Sequence, residues 1–205
     1  MHPILTIGHS NHDPEIFIER LAAHRIDVLV DVRSHPFSRR LPHFSKSALA
    51  SSLRDAGLRY LYLGEQLGGR PLGNVRNQMI GRGYAAMAAT PAFKQAIDRV
   101  LTGADCFRLA LMCAERDPID CHRALLVGRA LTQAGADLAH IQYDGHLEPQ
   151  RALDQRLLAV AGQDSVGDLF SSPEELLALA FRHQERRVCL TDDQDTDNGD
   201  QETNT

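Results

Sequence analysis

Residues 113–123 (CAERDPIDCHR) gather the side chains best suited to chemistry. A thiolate is both a nucleophile and a soft metal ligand. Asp117-Pro118 reads as the start of a helix that places Cys121, His122 and Arg123 in its first turns. A helix N-terminus and nearby cations lower a thiol pKa, so Cys113 or Cys121 could attack a substrate. His122 or His9 would then act as acid or base, with Glu115 or Asp31 as orienter. Cys113, Cys121 and His122 equally form a ligand set for a transition metal or haem, which His9 could complete. The spacing is not that of a zinc finger. Taken alone, Cys113 also suits a small buried hydrophobe. Cys106 and Cys189 lack polar neighbours and read as structural.

Three further polar clusters follow apolar runs. Gly8-His9-Ser10-Asn11-His12 combines a tight turn with a helix start, which favours an anion near Ser10. Asp31 sits inside the apolar run 27–32, where an unpaired carboxylate is costly. Arg33, two residues on, shares its face of a strand. The pair either braces loops or sets Arg33, with Arg39 and Arg40, to grip an acidic ligand. Gly64–Arg70 opens a stretch with glycines at 64, 68, 69, 73, 81 and 83, expected to be a long loop as far as Gly83.

The elements that must position these clusters alternate in type. Strands are expected near Ile4–Ile7, Asp27–Val32, Arg59–Leu63, Phe107–Met112 and Leu138–Tyr143. Helices are expected from Pro14 to His24, Ser45 to Ala56, Thr90 to Leu101, Pro118 to Gly135 and Leu147 to Val160. Ser172-Pro173-Glu174-Glu175 forms a capping box for a last helix over 173–187. The pattern predicts one three-layer α/β domain over 1–190, with a mostly parallel sheet of about five strands and helices on both faces. In such sheets ligands bind at the carboxyl ends of the strands, where all four clusters fall. Residues 191–205 are acidic and without periodicity, so a disordered tail is expected.

The net charge of −5 comes from that tail. Residues 192–202 hold six acids and no base, which leaves 21 acidic against 22 basic residues elsewhere. Between Arg33 and Arg82, nine basic residues face only Asp55 and Glu65, a balance that attracts phosphates. No apolar run is long enough to span a membrane and no signal segment is evident, which implies a cytoplasmic protein. Four unevenly spaced cysteines fit a reducing compartment. Gly8 starts no G-x-G-x-x-G dinucleotide pattern, and no G-x-x-x-x-G-K-[ST] P-loop pattern appears.

Thr6–Asn11, Val30–Ser34 with Pro36, Phe44-Ser45-Lys46, Cys113-Ala114-Glu115 and Cys121-His122-Arg123, in that order, resemble domain-of-unknown-function family 488. The resemblance runs from about Ile4 to Asp144, and weakly to Leu158, without clear departure from the family pattern. It implies a bacterial or archaeal α/β domain with no settled activity. Three functions follow, in this order. The first is an enzyme on a phosphate-bearing substrate, a nucleotide or modified nucleic acid, held by Ser10, Arg33, Arg39, Arg40 and Arg123. The second is a metal or haem protein. The third is a module that binds nucleic acid without turnover, for which an aromatic content of 5% without tryptophan is unfavourable. The sequence requires no cofactor and fixes no oligomeric state.

Overall fold

Three apolar runs without polar alternation become the centre of the sheet. They are β1 (Ile4–Gly8), β2 (Val28–Asp31) and β4 (Leu109–Cys113), buried along their whole length. Strands covered on both faces need no polar side, which is why these read as continuous apolar segments. The edge strand β3 (Arg59–Tyr62) alternates and stays half-exposed. With β5 (Leu138–Ile141) and β6 (Leu147–Pro149) they form one sheet in the order β3-β2-β4-β1-β5-β6. All neighbours are parallel except β5 and β6. The computed structural model describes residues 1–70, 83–162 and 172–197, with side chains to 188.

Helices α1 (Pro14–Ala23) and α2 (Lys46–Asp55) cover one face through Phe17, Leu21, Leu49 and Leu53, packed on Leu5, Ile7, Leu29 and Met112. The other face carries α3 (Gly64–Leu67), α4 (Gly83–Ala88), α5 (Pro91–Cys106), a π-helical segment Arg123–Gly128 continuing into α6 (Arg129–Gln133), α7 (Gln150–Val160) and α8 (Pro173–Asp197). Helix α5 buries Phe93, Ala96, Ile97, Val100 and Ala104, the spacing of one helical stripe. The chain moves outward from β1 to β3 over one face, then returns to β4 and β5 over the other. Neighbours β1 and β4 therefore send their connections to opposite faces, which opens a crevice at their carboxyl ends.

The expected three layers and parallel sheet are present, with corrections in detail. The sheet has six strands, because Leu147–Pro149 is strand and the helix starts only at Gln150. The Asp144-Gly145 turn folds these residues back on β5, and Pro149 stays extended at φ −63°, ψ 149°. The long loop expected from Gly64 opens with a helical turn, and its residues 71–82 lie outside the described set. Ser45 precedes α2 without capping it; its Oγ accepts the Ser38 N–H instead. The Ser172–Glu175 capping box forms in both directions. The last helix runs past the expected end to Asp197, so the acidic stretch begins in helix; residues 198–205 lie outside the described set. No helix among the described residues is long and apolar enough to cross a membrane.

One polar thread runs through the α7 face. Thr6 Oγ1 meets His140 Nδ1 at 2.8 Å, His140 Nε2 meets Gln150 Oε1 at 3.0 Å, and Gln150 Nε2 donates to Asp154 at 2.8 Å. Gln150 Oε1 can only accept, so His140 carries a proton on Nε2. Burial, helped by the charge of Arg123, lowers its pKa from 6.5 to about 4. The unfolded chain therefore binds an extra proton between those values, and stability falls as pH drops through that window. One such histidine accounts for about 3 kcal/mol at most. His140→Gln is expected to be less stable than wild type at pH 7, with the gap narrowing by pH 4 in urea unfolding. A gap that stays constant contradicts the neutral buried histidine.

Candidate metal and substrate site

Cys113 ends β4, on the face of the sheet that carries Leu109 and Leu111. The chain then turns through Ala114–Asp117 directly over β1. A Cβ on Gly8 would lie 1.9 Å from the Glu115 carbonyl oxygen, so only glycine lets the two loops touch. Asp117 caps Pro118–Asp120 by accepting the Ile119 N–H at 3.1 Å. The helix expected to continue from Pro118 stops there. Cys121 is extended, at φ −138° and ψ 138°. Its carbonyl accepts the N–H groups of Ala124 and Leu125, and its Sγ accepts that of Arg123 at 3.4 Å. Cys121 thus does the work of an N-cap, and the main helix begins after it. On an unbroken helix, Cys121 and His122 would point about 100° apart. The break lets both turn toward Cys113.

Cys113 Sγ lies 3.6 Å and Cys121 Sγ 3.9 Å from His122 Nδ1. All three ligand atoms are within 4.8 Å of one another. His122 Nε2 is 2.9 Å from the Val32 carbonyl, which can only accept, so Nε2 carries the proton and Nδ1 faces the sulphurs. Gly69 lies against this ring, where a Cβ would come 2.7 Å from Cγ of His122. The hydrogen bond to Cys121, together with burial, pushes the Cys113 thiol up. Burial opposes ionisation of Cys121, but the Cys113 hydrogen bond, Arg123 and His122 outweigh it and hold Cys121 well below the usual thiol range. For His122, burial is likewise outweighed by the hydrogen bond and charge of Cys121, which raise its pKa.

The other expected site residues divide between framework and surface. Asp31 and Arg33 are both buried and paired twice, Nε to Oδ1 at 3.0 Å and Nη2 to Oδ2 at 2.7 Å. Tyr60 donates to the same carboxylate, and Arg33 also donates to the Phe44 carbonyl. The remaining contact, Arg33 Nη1 to His9 Nε2 at 3.2 Å, makes His9 an acceptor there and leaves its Nδ1–H to the Ser10 carbonyl. His9 is stacked on Phe44, and burial followed by the charge of Arg33 lowers its pKa to about 4. It is a neutral brace outside the Cys113–Cys121–His122 group. Arg123 is fully buried, donating Nη1 to the Glu115 carbonyl and Nη2 to that of Arg116. It fastens the loop that Gly8 admits. Ser10 is partly exposed, and Arg39 and Arg40 are exposed.

A cavity of about 190 Å³ opens above the thiols, with Glu115, His122 and Arg33 in its wall. Sequence reasoning missed several of its residues. Ser34 faces it and accepts the Arg70 N–H at 2.9 Å. Asp120 lines it and accepts from Gln184; burial and then Asp117 raise its carboxyl pKa. Ser34 and Asp120 could have been found as direct neighbours of Arg33 and Cys121. Tyr84 and Val188 come from α4 and α8, and nothing in the sequence ties them to the site.

Fold and site together define a doubly wound α/β domain with a Cys-Cys-His group at the carboxyl edge of its sheet. The chain belongs to the family described as Domain of unknown function DUF488, which matches residues 13–130. That span includes Asp31, Arg33, Cys113 and Cys121–Arg123, and begins after Thr6–Asn11. No curated protein and no solved structure matches the chain.

The geometry makes Asp31 a framework residue. Asp31→Ala leaves Arg33 buried without its partner, which costs about 3–5 kcal/mol. Urea unfolding is expected to report a loss of that size. A loss below about 1 kcal/mol would mean that the pair does not brace the edge.

Proposed function

We propose that this chain is a metal-dependent enzyme of hydrolytic type, with one zinc-like ion held by Cys113, Cys121 and His122. The observation that carries this reading is the spacing of the three ligand atoms. Zinc bonds of about 2.3 Å to sulphur and about 2.0–2.1 Å to nitrogen, at tetrahedral angles, set S···N edges of about 3.6 Å. The two S···N separations are 3.6 and 3.9 Å. The Nε2–H bond from His122 to Val32 supports it further, because a metal-binding histidine commonly donates its other N–H to an oxygen acceptor. Three ligands from among the described residues would leave a fourth position for solvent or substrate, the arrangement of catalytic sites rather than closed structural ones.

The open position would face the cavity. A metal held by these residues would acidify a bound water and polarise the group under attack. Glu115 or Asp120 in the cavity wall would take the water proton as the oxygen bonds to the substrate, and would return it to the leaving group as the bond to that group breaks. The volume of about 190 Å³ is below the ~300–1,000 Å³ of drug-sized ligand pockets, which favours a ring-sized polar group and disfavours haem. Buried free thiols suit a reducing compartment, so we place the protein in the cytoplasm.

A second reading keeps Cys121 as a nucleophile. It is favoured by the Arg123 N–H on its sulphur and by its lowered pKa. Elemental analysis separates the two. Full-length protein purified under reducing conditions without added metal is expected to carry close to one zinc per chain. Cys113→Ser, Cys121→Ser and His122→Ala should each lose it. Wild-type protein that is metal-free and takes up neither zinc nor cobalt would end the metal reading in favour of the thiolate.

A further inference from the structure

We propose that the cavity mouth binds single-stranded nucleic acid, with loop 34–41 holding the strand and the cavity receiving one base. The proposal rests on the cavity being the substrate site, as argued above, but not on the identity of the ion.

Charge is divided unevenly between the cavity and its rim. Inside, Arg70 shares the wall with Glu115 and Asp120, and the charge of Arg33 is already paired with Asp31. Arg33 is also committed to Asp31, Phe44 and His9. A phosphate gains little there, whereas a polar heterocycle meets both donors and acceptors. Further positive charge lies outside the lining, on exposed Arg39 and Arg40 and on Lys46, whose ammonium sits over the Tyr62 ring. A ligand with a neutral polar ring and a separate anionic backbone satisfies both regions. The cavity is too small for a whole nucleotide held inside, which again puts the phosphates on the rim.

The same loop carries Phe37, two residues from cavity-lining His35 and 69% exposed, more than any other large hydrophobic residue described. A ligand that covers this ring would gain about 1.5–3 kcal/mol from its burial. The loop is ordered by its own hydrogen bonds. Lys46 N–H donates to the Pro36 carbonyl at 2.8 Å, Ser38 N–H to Ser45 Oγ at 3.2 Å and Leu41 N–H to Ser38 Oγ at 3.0 Å. Tyr62 Oη–H ties its start to the Ser34 carbonyl at 3.2 Å. Ser45 leaves its helix uncapped in order to hold this loop. His35, exposed between Ser34 and Phe37, lines the cavity and links the two regions.

An exposed aromatic ring beside basic side chains is a stacking platform for unpaired bases. A protein partner would be met by a wider apolar surface, and along the chain Phe37 is flanked by His35, Pro36, Ser38, Arg39 and Arg40, of which Pro36 alone is apolar. A duplex would offer Phe37 no free base face and could not pass a base into the cavity without unpairing. One platform residue implies a short footprint.

Binding of labelled oligo-dT, oligo-rU and a duplex of equal length to the full chain, by fluorescence anisotropy at several salt concentrations, tests this. Wild type should bind single strands in preference to the duplex. Phe37→Ala should weaken binding by about 5- to 100-fold, the range for one stacked base. Arg39→Glu with Arg40→Glu should reduce the salt slope by about 1.4, the value for two phosphates of a single strand. Neither change should alter metal content, and metal-free Cys113→Ser should still bind oligonucleotide, so this proposal and the metal reading fail separately. Absence of binding at low salt, duplex binding as tight as single-strand binding, or indifference to both loop changes would overturn the proposal. Loss of self-association in Phe37→Ala, without oligonucleotide binding by wild type, would overturn it in favour of a protein contact.

Discussion

The carboxyl edge of this sheet depends on one backbone departure, the extended conformation of Cys121. Cys113 is fixed by β4, so the other two ligand atoms must come to it. Adjacent residues on a helix diverge too far to share a target. Breaking the path at Cys121 and restarting it at His122 brings a thiol and an imidazole onto one point. The new helix start lacks a hydroxyl or carboxylate cap, and the sulphur with its carbonyl takes that place. The helix then continues with π geometry through Gly128, a form that often accompanies functional sites.

Two buried arginines hold the surrounding loops against this point. Arg33 joins β2, the Phe44 turn and the His9 loop through Asp31, the Phe44 carbonyl and His9 Nε2. Arg123 joins the new helix to the Glu115–Arg116 turn through two carbonyls. A planar guanidinium offers several donors in fixed directions, so one side chain can hold several separate segments. Gly8, Gly64 and Gly69 serve the same end by absence. A Cβ at Gly64 would lie 1.9 Å from the Arg33 carbonyl oxygen, which fixes α3 close to the β2 loop. Gly8 and Gly64 admit the protein's own backbone, and Gly69 admits the His122 ring.

Much of the frame is legible from residue types alone. Asp13-Pro14 and Thr90-Pro91 mark helix starts because proline suits only the first turn. The pairing of Asp31 with Arg33 follows from a two-residue spacing on a buried strand. What stays hidden has physical reasons. Strand β6 is three residues long and ends in proline, too short for any period to register. The break at Cys121 is masked by Asp117-Pro118, whose helix-start signal is real but serves only one turn. Arg33 and Arg123 carry the residue type of an anion site, and type does not reveal that Arg33 is taken up by a carboxylate, a carbonyl and an imidazole, or that both terminal nitrogens of Arg123 donate to carbonyls. Tyr84 and Val188 reach the cavity from remote helices, a meeting that tertiary packing alone decides.

A metal at this point would draw these features together: a pinned imidazole, two converging thiols and a small polar chamber above them. X-ray absorption at the zinc edge, on the full chain loaded with one equivalent of zinc, tests that claim most directly. The account predicts two sulphur scatterers near 2.3 Å and two lighter nitrogen or oxygen scatterers near 2.0 Å, one from His122 and one from solvent. A shell of light atoms without sulphur, or one of four sulphurs, would contradict it.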